Sequence, residues 1–271
     1  MRFLPVVALT LAFGLLTACA DEKKVPPAAD GKSADTPSAA FAAIKTEFEA
    51  ANEKMGARFK AAGTVEAKKA IREEAKGLYG TFAGKMLALA EAHPADPVAA
   101  DALAFAATRQ LALGVTGPDV DKVAELLVTK YAASPQTKQV LALAKGVGDQ
   151  GAAFLKAAAA KATAPDLKGL ALLALGSTLA EQAADADDAK TAADLNAQAE
   201  RYLDEAIKVA PDAATDDGGT VKKAAEGELF VIRNLAVGKP APEIAGTTLD
   251  DKKAKLSDYK GKVVLLDFWA T

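Results

Sequence analysis

The stretch Val237-Gly-Lys-Pro-Ala-Pro-Glu243, followed later by Gly261-Lys-Val-Val-Leu-Leu-Asp-Phe-Trp-Ala-Thr271, decides how the fold of this chain is interpreted. The run Val263–Trp269 is rich in β-branched and aromatic residues, which favour a strand over a helix. It is apolar on both alternating faces except at Asp267, so it predicts a central strand covered on both sides. A strand of this kind needs neighbours in its sheet. We therefore expect the sequence to be a fragment of a longer protein.

Two shorter motifs precede this predicted strand. The segment Leu249–Leu256 has the pattern of a short hairpin with a polar turn. The segment Ser257–Gly261 predicts a capped single turn that is closed by glycine. Together with the strand, these motifs predict the beginning of a sheet-containing domain.

The segment 236–271 resembles the opening of a thioredoxin-like domain of the TlpA/ResA type, a group of exported thiol–disulfide oxidoreductases among the AhpC/TSA redoxins. The resemblance is carried by the order Val-Gly-Lys-Pro-Ala-Pro-Glu-Ile and then Leu-Ser-Asp-Tyr-Lys-Gly-Lys-Val-Val-Leu-Leu-Asp-Phe-Trp-Ala-Thr. In that family, Phe-Trp-Ala-Thr is followed by Trp-Cys-x-x-Cys. The resemblance thus implies a catalytic dithiol beyond Thr271 and none within the sequence. It also implies disulfide-bearing client proteins, an upstream thiol reductant and no cofactor.

The same resemblance assigns roles to two residues of the predicted strand. Thioredoxins carry an aspartate at the place of Asp267, beneath the second active-site cysteine, where it takes up and returns the thiol proton. By this match Asp267 is a proton relay. The alternative is a strand aspartate that is hydrogen-bonded for structural reasons. Trp269 would flank and shield the dithiol, or it would fill the core as an ordinary aromatic side chain.

The N-terminus has the pattern of an export signal. Met1-Arg2 is followed by the apolar run Phe3–Leu16, and small residues then lead to Cys19. This run is shorter than the roughly 20 residues that span a bilayer as a helix. Because Leu-Thr-Ala-Cys resembles a bacterial lipobox, we expect residues 1–18 to be a lipoprotein signal peptide and Cys19 to carry lipid. The alternative is a free thiol near an ordinary cleavage site.

This pattern predicts an exported, membrane-anchored lipoprotein that faces the periplasm or the cell exterior. Which membrane holds the anchor is left open by the sequence. Residues 19–40 contain prolines, lysines and small residues without an apolar period, which predicts a disordered tether.

Residues 41–235 predict an α-helical domain, because apolar residues recur at helical spacing on successive stripes. Proline follows a cap-like or small residue at several predicted helix starts, namely Pro97, Pro118, Pro135 and Pro165. Their uneven spacing predicts an irregular bundle or a short solenoid, loosely similar to tetratricopeptide repeats. The predicted fold is therefore mainly α, with the first strands of an incomplete thioredoxin-like α/β domain at the end.

Composition narrows the range of expected partners. The chain has 33 Lys and Arg against 36 Asp and Glu, and the two signs are interspersed along it, so we expect no nucleic-acid partner.

Isolated polar motifs are assigned structural roles. His93 precedes a proline and is expected to cap a helix or face solvent. The acidic group at 185–188 is interpreted as helix capping and not as a calcium loop. Gly146-Val-Gly148 is interpreted as a loop, and no metal site is predicted.

Three hypotheses about function remain open. The first is a lipid-anchored thiol–disulfide oxidoreductase whose helical region positions the redox domain or binds clients. The second is a peroxiredoxin-type antioxidant peroxidase, because peroxiredoxins share the Gly-x-x-Ala-Pro opening. The third is a non-catalytic helical binding lipoprotein. Under all three, the 271-residue chain itself is expected to lack redox activity, because its single cysteine is Cys19.

Overall fold

The computed structural model describes residues 36–115 and 117–267, and in them the chain is mainly helical. The helices are α1 (Pro37–Ala61), α2 (Val65–Ala92), α3 (Val98–Leu113), α4 (Pro118–Thr129), α5 (Pro135–Lys145), α6 (Gly148–Lys161), α7 (Pro165–Ala184), α8 (Ala189–Val209) and α9 (Val221–Asn234). Two short strands come after them, β1 (Ala245–Thr247) and β2 (Lys253–Lys255). The predicted mainly α fold, with a partial sheet at its end, is confirmed.

Capping residues explain most of the helix starts. The side chains of Thr36, Thr64, Asp188 and Thr220 each accept a hydrogen bond from the backbone N–H three residues later. Helices α4, α5 and α7 begin at prolines, as predicted. Helix α3 begins one residue later than predicted, at Val98, whose N–H donates to Asp96 Oδ1.

The chain divides into two compact units between Val140 and Leu141, within α5. In the first unit, α2 packs against α1, α3 and α4. Its core includes an aromatic cluster in which the ring of Phe48 makes edge-on contacts with Tyr79, Phe82 and Phe105 at centroid distances of 4.9, 5.3 and 5.3 Å. These large rings fill the space between α1, α2 and α3.

In the second unit, α7 is the central helix and packs against α6, α8 and α9. The contact with α8 is close because α7 has a glycine at the crossing point. A β-carbon on Gly176 would lie 2.6 Å from Leu203 Cγ and 3.3 Å from the Ala199 carbonyl oxygen. Leu203 is fully buried. Small residues therefore set the distance between these two helices.

The chain after α9 differs from the predicted strand pattern in two respects. The hairpin exists, but its first strand is Ala245–Thr247, before the segment in which it was predicted. The prediction of a central strand from Val263 is wrong for the described residues, because Val263–Asp267 forms no strand and is exposed. This run has no partner strand among the described residues, so nothing covers its faces. Val263 and Leu265 are accordingly almost fully exposed.

Within residues 36–115 and 117–267, none of the helices has the length and apolar character that crossing a bilayer requires. The predicted signal peptide 1–18 and most of the predicted tether lie outside the described residues.

Candidate functional site

The segment with the redoxin-like sequence begins at the end of α9, and polar contacts hold that helix to its neighbours. Arg233 of α9 lies 3.2 Å from Glu200 Oε2 and 2.8 Å from Asp204 Oδ2, both on α8. The buried Ser177 of α7 donates a hydrogen bond to the carboxylate of Glu228. Two sets of contacts thus fix the helix from which the segment continues.

Helix α9 ends with a tight backbone arrangement. The N–H groups of Leu235 and Ala236 both donate to the Val231 carbonyl, at 2.8 and 3.1 Å. The following turn contains Gly238 with φ +87°, a left-handed conformation that glycine adopts without strain. The chain then continues through Pro240 and Pro242 without helix or strand.

Next, Glu243 closes a clasp across the hairpin, which we call the Glu243–Ser257 clasp. Its Oε1 accepts the backbone N–H of Ser257 at 3.0 Å, and its Oε2 accepts the Ser257 hydroxyl at 2.5 Å. These two hydrogen bonds, the hydroxyl first, hold the pKa of the Glu243 carboxyl below its usual value, with a smaller contribution from nearby Lys255. The clasp joins residues 14 apart in sequence.

Inside the clasp, β1 and β2 pair antiparallel, with Ala245 opposite Lys255 and Thr247 opposite Lys253. The ladder is extended by a hydrogen bond from Leu256 N–H to the Ile244 carbonyl, at 2.9 Å. In the loop between the strands, Thr248 N–H donates to the Lys252 carbonyl at 2.8 Å. The hairpin is therefore held by backbone bonds and the clasp, without a buried core.

The predicted single turn before Gly261 is present, but it begins at Leu256, so Ser257 lies inside it and does not cap it. A one-turn 3-10 helix spans Leu256–Tyr259, and Asp258 Oδ2 accepts the N–H of Lys255 at 2.9 Å. Gly261, two residues after Tyr259, has φ +83° and ends the turn.

The sequence predicted functional roles for Asp267, Trp269 and Cys19, and the structure describes only the first of them. Asp267 was expected in the middle of a covered strand, but it is exposed and belongs to no strand. This corrects its expected environment, whereas its role as a proton relay stays a prediction. Trp269 and Cys19 lie outside the described residues.

The structural roles predicted for His93, for the acidic group at 185–188 and for the Gly146–Gly148 loop agree with the structure. His93 is exposed and its backbone N–H donates to the Leu89 carbonyl at the end of α2. Asp188 caps α8, accepting from the N–H and hydroxyl of Thr191 at 2.8 and 2.6 Å, and these bonds lower the pKa of its carboxyl. Gly148, with φ +55°, ends the loop before α6.

Within the described ranges, no group of three or more His, Cys, Asp or Glu side chains is arranged to hold a metal ion. The Glu243–Ser257 clasp was missed by sequence reasoning. Its two members belong to quoted motifs, Pro-Ala-Pro-Glu and Leu-Ser-Asp-Tyr. The pairing of a carboxylate before a hairpin with a serine after it is the signal that could have indicated the contact.

Chemically, the clasp is interpreted as a structural contact. The Ser257 hydroxyl donates to Glu243, but the lowered pKa of that carboxyl makes it a weak base for activating a nucleophile. The exposed apolar run that starts at Val263 follows the clasped hairpin in sequence.

Comparison with known proteins gives one short similarity. The chain is 49% identical over 37 residues to the thiol-disulfide oxidoreductase ResA of Bacillus thuringiensis subsp. konkukian (strain 97-27), and equally to ResA of Bacillus cereus (strain ATCC 10987 / NRS 248). The similarity covers 14% of this chain and about a fifth of each relative's length, 21%. No protein-family model matches the chain, and no significant match to a solved structure is found. The chain therefore shares a short local similarity with thiol–disulfide oxidoreductases.

Proposed function

We propose that this chain is part of an exported, lipid-anchored thiol–disulfide oxidoreductase of the thioredoxin-like type. The observation that carries the proposal is the 49% identity to ResA over 37 residues. Disulfide exchange needs a pair of thiols, and the single cysteine of this sequence, Cys19, is assigned to lipid. The reactive cysteines are accordingly proposed to lie beyond Thr271, as Cys-x-x-Cys.

The geometry of the segment after α9 supports a scaffolding role in this reaction. A reactive cysteine must be held at a fixed place, where its surroundings lower the pKa of its thiol. The Glu243–Ser257 clasp and the β1–β2 ladder hold the backbone conformation of the segment that leads to the apolar run. In the complete protein, we propose that this run becomes the strand that carries the dithiol at its end.

The helical region is proposed to position the redox domain or to bind its clients. Helix α9 is fixed by Arg233 and Glu228, and the redoxin-like segment comes directly after it. The proposed partners are disulfide-bearing proteins and an upstream thiol reductant. The proposed location is a membrane surface facing the periplasm or the cell exterior, with Cys19 as the anchored residue.

The first test of the proposal is to determine the coding sequence after Thr271. A Cys-x-x-Cys motif supports the proposal. A lone cysteine in its place would favour the peroxiredoxin-type peroxidase, and the absence of cysteine would favour the helical binding lipoprotein. Either of those two results contradicts the proposed function.

An insulin-reduction assay tests the activity itself. The full-length product is expected to accelerate insulin reduction by dithiothreitol, and the purified 271-residue chain is expected to be inactive. A full-length variant with serine in place of both motif cysteines is the matched control and should lose the acceleration. Equal rates with and without the full-length protein would refute the proposal.

Lipid attachment is tested separately in cells by Cys19→Ser. The parent protein is expected in the membrane fraction with incorporated labelled fatty acid, and the variant is expected without label. Label incorporated equally by both proteins would exclude Cys19 as the site.

A further inference from the structure

The two methionines of the described residues have contrasting environments. Met55, on α1, is partly exposed, whereas Met86, on α2, is fully buried with 0% of its surface accessible. Oxidation of a thioether by peroxide requires access of the oxidant to sulfur. Within the same unit, one methionine is therefore partly exposed to an oxidant and the other is shielded from it.

The sulfur of Met55 also has a cationic neighbour. Arg58 Nη1 lies 4.0 Å from Met55 Sδ, in a direction suited to N–H donation. The same guanidinium makes a bidentate pair with Glu74 of α2, at 2.6 and 2.8 Å. A guanidinium carries five N–H donors, so pairing with Glu74 leaves others for a second acceptor.

We propose that Met55 is a site of oxidation by peroxides, and that Arg58 binds the oxygen of the resulting sulfoxide. The sulfur lone pair attacks one peroxide oxygen, an S–O bond forms and the O–O bond breaks. Sulfur loses two electrons, and the leaving hydroxide takes the proton of the transferred hydroxyl to give water. This inference is independent of the proposed disulfide chemistry.

The surroundings of Met55 fit a sulfoxide better than a thioether. A thioether sulfur is a weak acceptor, whereas a sulfoxide oxygen is polar and accepts well from a charged donor. Further along the same helix, Phe59 is flanked by Lys68 and Arg72, at 5.6 and 5.2 Å from its ring centroid. The negative end of the new S–O dipole would face Arg58, whose guanidinium also pairs with Glu74.

Contacts between α1 and α2 lie one turn before and one turn after Met55. Tyr79 of α2 donates to Asn52 Oδ1 at 2.8 Å, one turn before Met55. The Arg58–Glu74 pair joins the same two helices one turn after it. Oxidation at Met55 is consequently expected to leave the two helices packed.

Peptide mapping by mass spectrometry after graded hydrogen peroxide treatment tests the site. In the folded protein, Met55 is expected to oxidise at least about tenfold faster than Met86, because Met86 reacts only after the structure opens. In urea the two rates should become equal, which controls for intrinsic reactivity. Equal rates in the folded protein would overturn the assignment.

The role of Arg58 is tested by comparing the thermal midpoints of reduced and oxidised protein in a Met86→Leu background, which confines oxidation of the described residues to Met55. Oxidation is expected to lower the midpoint more in Arg58→Ala than in the parent. Glu74→Gln is the matched control, because it removes the ion pair and keeps the guanidinium, and it should behave like the parent. An equal fall in all three proteins would exclude binding of the sulfoxide by Arg58.

Discussion

The helical region and the segment after α9 are stabilised by different physical means. Along the helices, each of the two units buries alanine, leucine and valine side chains, and the first unit also buries the rings of Phe48 and Phe82. No described residue after Ile232 is buried, and the hairpin is held by backbone hydrogen bonds and the Glu243–Ser257 clasp. Apolar burial supplies most of the free energy of folding, so stability should be concentrated in the helices. Paired substitutions, one in each region, test this difference.

The largest contrast is expected between two leucines. Leu203, on α8, is fully buried, whereas Leu265 is 92% exposed. Leu203→Ala should lower the free energy of unfolding by about 2–5 kcal/mol, because it removes buried atoms and leaves a cavity. Leu265→Ala should change it by less than about 0.5 kcal/mol. Urea unfolding followed by circular dichroism measures both, and similar losses would show that the C-terminal run contributes to a core.

A pair of glycines gives the next contrast. A β-carbon on Gly176 would overlap the buried Leu203, whereas one on Gly246 of β1 meets nothing within 4 Å. Gly176→Ala should cost about 1–3 kcal/mol through overpacking, offset in part by roughly 1 kcal/mol of helix propensity. Gly246→Ala should have little effect. If Gly176→Ala proves stabilising, the close approach of α7 and α8 is not a constraint.

Two capping aspartates give a smaller difference. Asp188 caps the long helix α8, while Asp258 caps a single 3-10 turn outside the core. Asp188→Ala should cost roughly 1 kcal/mol of unfolding free energy, because the cap belongs to the cooperative unit. Asp258→Ala should leave the urea midpoint unchanged. A matching shift in both variants would mean that the hairpin unfolds together with the helices.

The smallest effect is a local pH dependence of the Glu243–Ser257 clasp. The pKa of Glu243 is lowered in the folded chain by its bonds to Ser257, so the clasp is fully formed above the ordinary glutamate value of 4.5. It should open as the pH falls through the lowered pKa. The Ser257 amide resonance reports this opening in an NMR titration.

Glu243→Gln serves as the control for that titration, because the amide accepts hydrogen bonds but does not titrate in this range. The Ser257 resonance should then be independent of pH. A titration that persists in the variant would assign the effect to another carboxylate.

The sequence predicted features that depend on neighbours along the chain. Helix starts at Pro118, Pro135 and Pro165 result from the fixed φ of proline and its missing N–H. The turn ended by Gly261 results from the tolerance of glycine for positive φ. These local constraints act wherever the segment lies in the fold, so they could be read without a structure.

Features that depend on distant partners could not be predicted in the same way. The apolar pattern from Val263 indicates a strand, but a strand forms only when another pairs with it, and none does among the described residues. The environment expected for Asp267 was wrong for the same reason. The Glu243–Ser257 clasp and the contact of Arg58 with Met55 depend on side-chain reach, which residue spacing alone does not determine.

The ending of α9 sets a geometric limit on the redoxin-like segment. Only the short connection from Leu235 to Ile244 separates that helix from β1. Fully stretched, it would span roughly 35 Å, and the two prolines within it restrict the conformations available. The hairpin therefore stays within that distance of the end of α9, so that any group it carries meets the neighbouring helical surface at a high effective concentration.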